Sequence, residues 1–290
     1  MHLAALVAAA LVGFAANSIL CRLALGTQRI DAISFTTVRV LAGALALVLI
    51  ARLTARRRAV RPAAAGSWRG ASALFAYAIT FSLAYLRIGA GVGSLIAFGA
   101  VQLTMIGWGI RRGERPAAVQ WIGLLIAFAG LTVLATRGAG AVDPLGGALM
   151  LAAGVSWGIY SLLGRGSANP LIDTAGNFVR AAPMALAATL LAALAATLGA
   201  QPITMHTSSG GLALAVVSGA LTSGVGYSLW YAALPSLTAT RAAALQLATP
   251  VLTALAAVAF LGESLTPRLI AAASAILGGL ALALAGRRKT

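Results

Sequence analysis

The sequence predicts an all-α membrane protein of ten transmembrane helices, built as two inverted five-helix repeats over residues 1–140 and 141–290, with both termini cytoplasmic. Three observations predict it: a near absence of charge, apolar runs that recur at one length, and a weak internal repeat. Of the 290 residues, 60% are hydrophobic and only 9% charged. A soluble domain carries about 25% charged residues, so an ordinary cytosolic fold is excluded. Uncharged runs recur at Gly70–Leu86, Ile88–Ile110, Pro116–Thr136, Pro144–Gly164, Ala242–Gly262 and Leu269–Gly286. Each is close to the roughly 20 residues that span a hydrocarbon core of about 30 Å as a helix. In lipid every backbone N–H and C=O needs an internal partner, and continuously apolar runs without period-two alternation favour helices over a barrel.

The expected helices, in order, are 3–25, 32–53, 68–87, 90–110, 117–136, 144–164, 171–198, 209–232, 237–261 and 267–286. The first lacks a basic leader and is long for a signal peptide, so it reads as a retained helix. The split after 232 rests on Leu234, Pro235 and Ser236, a turn signal inside a stretch too long for one crossing. Cys21 has no partner for an internal disulfide and reads as helix filler.

Orientation follows from the basic residues in alternate connectors. One side receives Arg52, Arg56, Arg57, Arg58, Arg61, Arg69, Arg111, Arg112, Arg115, Arg165 and the tail Arg287, Arg288 and Lys289. The other receives Arg29, Arg87, Arg137 and Arg268, with Arg22 at a helix end. The bias places both termini in the cytoplasm. It also accounts for the formal charge of +16 as a topology signal, so no nucleic-acid partner is expected.

Gly13–Arg39 matches Gly154–Arg180, with Asp31 and Asp173 ahead of Arg39 and Arg180. Phe81–Tyr85 matches Tyr227–Tyr231, Gly113-Glu114 matches Gly262-Glu263, and Gly130 matches Gly279. Five is odd, so a five-helix unit repeated in tandem enters the membrane the second time from the opposite side. That inverted arrangement recurs in secondary transporters.

The run Ala242–Leu255, containing Gln246 and Pro250, is followed by Leu261, Gly262, Glu263 and Ser264 and then by Ile276–Gly279. It resembles the closing hairpin of EamA-type members of the drug/metabolite transporter superfamily, and the first half carries a degraded copy with Val101 in place of Pro250. Within that superfamily the texture is most similar to YddG-type aromatic amino acid exporters. The resemblance implies a bacterial inner-membrane exporter with a central cavity lined by helices 1, 3, 4, 6, 8 and 9 and worked by alternating access.

The five acids, Asp31, Glu114, Asp143, Asp173 and Glu263, fall at helix ends, as do His2 and His206. Proton-coupled carriers usually hold an ionisable group within the membrane. Facilitated movement is therefore expected, without an intramembrane proton relay. Arg39 and Arg180 are the two charges well inside helices, and two readings stay open: structural bonds to neighbouring helices, or attraction of a substrate carboxylate. Asn17, Gln102 and Gln246 are polar groups on apolar helices, placed either to bind substrate or to bond an adjacent helix. Tyr77, Phe81 and Tyr85 share one face of the third helix; Tyr227, Trp157 and Phe98 add aromatic surface. The candidate binding set is Asn17, Tyr77, Phe81, Phe98, Gln102, Trp157, Tyr227 and Gln246, with Gly91 and Pro250 as candidate hinges. Aromatic walls with a few polar groups suit a planar amphipathic solute. An enzyme is disfavoured, because the sequence offers no metal cluster, paired aspartates or Ser/His/Asp set. No cofactor is expected; the partners are a small solute and the bilayer, and a monomer suffices. The rival cargoes are organic cations, or phosphorylated compounds and nucleotide sugars, although the only lysine is Lys289 in the tail.

Overall fold

The computed structural model describes residues 2–54, 65–88, 90–135, 143–198, 205–261 and 264–285. Arg56, Arg57, Arg58, Arg61, Arg137, Gly262, Glu263 and the basic tail lie outside the described residues. Among those described, secondary structure is helical, with one isolated bridge between Ile30 and Thr207 and no strand. Eight helices are long and apolar enough to cross a membrane, and Ala118–Val133 is a shorter apolar one.

The helices are α1 Leu3–Leu25, α2 Ala32–Thr54, α3 Trp68–Tyr85, α4 Ala90–Arg111, α5 Ala118–Ala135, α6 Pro144–Gly164 and α7 Pro170–Thr197. There follow α8 Ser209–Val217, a π-helical segment Ser218–Val225, α9 Gly226–Ala233, a 3-10 turn Leu234–Ser236, α10 Ala239–Gln246, α11 Ala248–Leu261 and α12 Pro267–Ala285. Their starts carry the expected chemistry. Ser67, Asp143, Asn169, Ser208 and Thr238 each accept a bond from a backbone N–H of the first turn, which satisfies a donor the helix cannot.

Two elements differ from the sequence expectation. The predicted span 209–232 is not one regular helix: Ser218–Val225 is π-helical, a wider winding that inserts backbone where the chain crosses α2. Small residues make that crossing possible. A Cβ on Gly219 would stand 2.1 Å from the Arg39 carbonyl oxygen, and one on Gly43 would strike the Phe178 ring and approach the Gly219 carbonyl. The predicted span 237–261 breaks at Leu247. Pro250 has no N–H to bond the carbonyl of Gln246, and its ring crowds that carbonyl, so the helix restarts there.

Packing pairs helices from opposite halves of the chain. α5 lies against α12, α2 against α7, α1 against α9 and α11, and α6 against α3 and α4. The α5–α12 crossing brings two backbones together over several turns. A Cβ on Gly123 would stand 2.4 Å from the Ala283 nitrogen and 2.5 Å from the Gly279 oxygen, and one on Gly130 would stand 2.9 Å from the Ala272 oxygen. Apolar solvent gives helices no hydrophobic reason to associate, so backbone-to-backbone van der Waals contact of this kind carries much of the cohesion.

Substituting Gly123 by valine forces the two backbones apart and lowers stability by about 1–3 kcal/mol, the usual range for overpacking. Gly278→Val, where nothing lies within 4 Å of the added carbon, is the control. Thermal unfolding of the purified variants in detergent checks this: Gly123→Val melts lower and Gly278→Val melts as the parent does.

Candidate functional site

A cavity lies between α1, α3, α4, α6, α9 and the α10–α11 break. Its wall includes Phe14, Asn17 and Ser18 of α1; Tyr77, Phe81 and Tyr85 of α3; and Ser94, Phe98 and Val101 of α4. Gly154 and Trp157 of α6, Tyr227 of α9, and Gln246 and Thr249 at the break complete it. Seven of the eight sequence candidates, Asn17, Tyr77, Phe81, Phe98, Trp157, Tyr227 and Gln246, therefore share one wall; Gln102 is not part of it. Ser18, Ser94 and Thr249 were not singled out from sequence, where a small hydroxyl on an apolar helix is too common to stand out. Gly91 is helical, but its surroundings lie outside the described residues.

The aromatic groups pack on one another rather than on lipid. Phe14 meets Trp157 edge-on at 5.2 Å, Tyr77 lies 4.9 Å from Trp157, and Trp157 lies 4.7 Å from Tyr227. Offset and edge contacts of this kind add attraction beyond burial alone. The cavity holds about 60 Å³, room for a few waters. Sites for drug-sized solutes run from roughly 300 Å³ upward. In this conformation the space is too small for such a solute, which enters only if the walls part.

The polar candidates are bonded within the protein. Asn17 Oδ1 accepts from the hydroxyls of Ser218 and Thr222 in the π-helical segment, at 2.7 and 3.2 Å. Gln102 Nε2 donates to the Ala243 carbonyl at 2.7 Å, tying α4 to α10. Trp157 Nε1 donates to Gln246 Oε1, and Gln246 Nε2 donates to the Ala242 carbonyl at 3.3 Å. The wall thus meets α10 at the residue before its break.

Arg39 and Arg180 have different surroundings. Arg180 donates to the carbonyls of Ala65 and Gly176, both backbone groups. Arg39, 2% exposed, donates through Nε to the Ser223 hydroxyl at 2.7 Å and through Nη2 to the Tyr227 hydroxyl. Its guanidinium carbon stands 5.6 Å from the centre of the Tyr77 ring, while Nη1 is buried without a hydrogen-bond partner.

At one end of the bundle Glu114, in the α4–α5 connector, caps α10. Its carboxylate accepts from Ala239 N at 2.7 Å, Thr240 N at 3.0 Å and the Thr240 hydroxyl at 2.8 Å, and lies 3.6 Å from Arg165. Burial by itself raises the carboxyl pKa; the three bonds and the arginine outweigh it and hold the group below its ordinary value of 4.5. The contact joins the far end of α4 to the start of α10. The cavity lies away from it, running toward Tyr85 and Ser94 near the α3–α4 connector.

A family model, described as the EamA-like transporter family, matches residues 144–285. An uncharacterized protein of Pseudomonas aeruginosa is 51% identical over 279 residues, covering 96% of this chain and 93% of the relative. A solved crystal structure matches with a TM-score of 0.71 at 23% identity, covering 96% of this chain and 98% of that one, a likeness of fold.

Because the Glu114 pKa is depressed, the stability it contributes is present above pH 4.5 and is lost as pH falls through the lower folded-state value. Glu114→Ala removes the cap and costs about 1 kcal/mol at pH 7, as cap deletions do. Melting curves from pH 7 to pH 3 check the sign: the gap between parent and variant narrows as the parent's carboxylate takes up its proton.

Proposed function

We propose, from the match of residues 144–285 to the EamA-like transporter family, that the chain exports small amphipathic metabolites, aromatic amino acids first among them, by alternating access to the central cavity. That match and the apolar helices support a multi-pass membrane transporter. The observation that carries the finer reading is the cavity itself: ring faces and edges of Phe14, Tyr77, Phe81, Trp157 and Tyr227 surround a small polar set, a surface suited to a flat solute with one polar end.

The architecture in this reading is ten crossings in two inverted halves, 1–140 and 141–290, with cytoplasmic termini in a bacterial inner membrane. Two features support it. The connector ties sort into two sets, as ten crossings require: Asp31 with His206 and Arg87 with Asp143 on one face, Glu114 with Thr240 and Ser67 with Asn177 on the other. The helix pairs also exchange under the repeat, since Gly123 against Gly279 becomes Ala272 against Gly130 when each residue is replaced by its match. Pro250 at the α10–α11 break is one hinge in this scheme, and Gly91 of α4 is a second.

The described carboxylates all sit at helix ends, and Asp31, Glu114, Asp143 and Asp173 are each bonded there. Movement down the solute's own gradient follows from that placement, without a proton relay.

Uptake of radiolabelled phenylalanine, tryptophan and alanine into liposomes containing the purified protein tests the reading. Saturable aromatic uptake that exceeds alanine uptake, persists without a pH gradient and falls several-fold in Trp157→Ala is the expected result. Equal rates for all three, or uptake that collapses with the proton gradient, would refute it.

A further inference from the structure

The central cavity is backed by a buried positive charge, Arg39, with no carboxylate beside it among the described residues. Arg39 is the eighth residue of α2, about 10 Å along the helix from its start at 1.5 Å per residue. A guanidinium at such depth is expensive unless something compensates it, and buried cations are normally paired with carboxylates or bonded to carbonyls. The described carboxylates are engaged elsewhere. Asp31 caps its own helix and holds His206 N, Asp143 holds Gly146 N and Arg87, Asp173 holds Ser167 and Gly66 N, and Glu114 holds α10.

Arg180 is the control supplied by the chain itself. It occupies the matching position in the second half and does what a structural arginine does, donating to the carbonyls of Ala65 and Gly176. Arg39 bonds the neutral hydroxyls of Ser223 and Tyr227, lies against Tyr77, and keeps Nη1 without a hydrogen-bond partner in a site that is 2% exposed. Tyr227 and Tyr77, which touch or cover the guanidinium, are both in the cavity wall. The charge therefore sits one side chain behind the surface the solute would meet. The cavity of about 60 Å³ must enlarge to admit a solute, and a solute seated against Tyr77 or Tyr227 lies one side chain from the guanidinium.

We infer that Arg39 is an anion-recognition residue of this cavity, and that its cargo carries a carboxylate, as an anion or a zwitterion, so that organic cations of the same shape are rejected. The guanidinium supplies a donor fork that a carboxylate accepts, and Tyr227 and Ser223 hold that fork in place until it arrives. A cation entering the same cavity would meet the guanidinium across a water-poor gap and be repelled. Arg180 takes no part in recognition. The inference rests on the reading of the cavity as the transport site, and it sharpens that reading by choosing among the cargoes it allows.

The test is uptake by the full-length protein in liposomes of three solutes with one ring and one chain: phenylalanine, 3-phenylpropionate and phenethylamine. The cyclohexyl counterparts, 3-cyclohexylpropionate and 2-cyclohexylethylamine, are run beside them. The parent protein is expected to move the carboxylated solutes at least tenfold faster than the amines. Arg39→Gln is expected to abolish that preference, Arg39→Lys to restore part of it, and Arg180→Gln to leave it intact. The ranking in the parent needs no variant, so a misfolded Arg39→Gln does not block the test. Phenethylamine carried as well as the carboxylates, or a preference that survives in folded Arg39→Gln, would overturn the inference. Transport of cyclohexylpropionate without any aromatic solute would sink the aromatic reading and leave this one standing; no transport of any carboxylated probe would overturn this one.

Discussion

Hydrocarbon offers no hydrogen-bond partner, and that constraint organises this molecule. A polar side chain in the interior of an apolar helix must find its partner within the protein, on its own helix as Ser18 and Thr104 do or on another, where it becomes a fixed point between the two. Thr36 of α2 bonds Ser82 of α3 at 2.9 Å, Thr37 bonds the Ala185 carbonyl of α7 at 3.0 Å, and Asn17 of α1 bonds the π-helical segment. Gln102 joins α4 to α10, and Trp157 joins α6 to Gln246. Glycine and alanine then let the backbones close in around these points, as where Gly219 meets Arg39 and where Gly123 and Gly279 cross. Arg39 stands out against that background as a charge: its Nη1 lacks a hydrogen-bond partner, as do the neutral Gln102 Oε1 and the hydroxyls of Tyr160 and Thr249.

Much of this was legible from the sequence, and the reason is that composition carries it. Apolar runs of one length place the helices, because length and polarity are local properties; α1, α2 and α6 fall where their runs lie. Aromatic spacing placed Tyr77, Phe81 and Tyr85 on one face, and all three meet the cavity, together with Trp157 and Tyr227. The arginine pair was visible as well, but its two readings could not be separated on sequence, since matching positions say nothing about what each guanidinium touches.

What was not legible depends on contacts between distant segments. The π-helical winding at Ser218–Val225 has no pattern of its own; small residues there read as close packing, and only the approach of α2 shows why an extra residue is accommodated. The break at Leu247 lies three residues before the proline that causes it. Glu114 read as a connector acid, and its role as a cap for α10 is formed 125 positions away. The glutamines posed a further difficulty. From sequence, binding a solute and bonding a helix look alike, and here Gln102 bonds the Ala243 carbonyl of α10 while Gln246 accepts from Trp157 of α6.

The central claim of the account is that the two ends of the cavity open in turn, and the end held by Glu114 is the one to watch. Spin labels at Arg112→Cys and Ser236→Cys, on the exposed connectors beside that contact, report its opening once Cys21 is replaced by alanine. Distances between the labels, measured by pulsed electron resonance in liposomes with and without phenylalanine, give the most direct test. The account predicts two distances, the shorter corresponding to the closed contact, whose proportions change when solute is added. A single distance that stays the same with and without solute would contradict it.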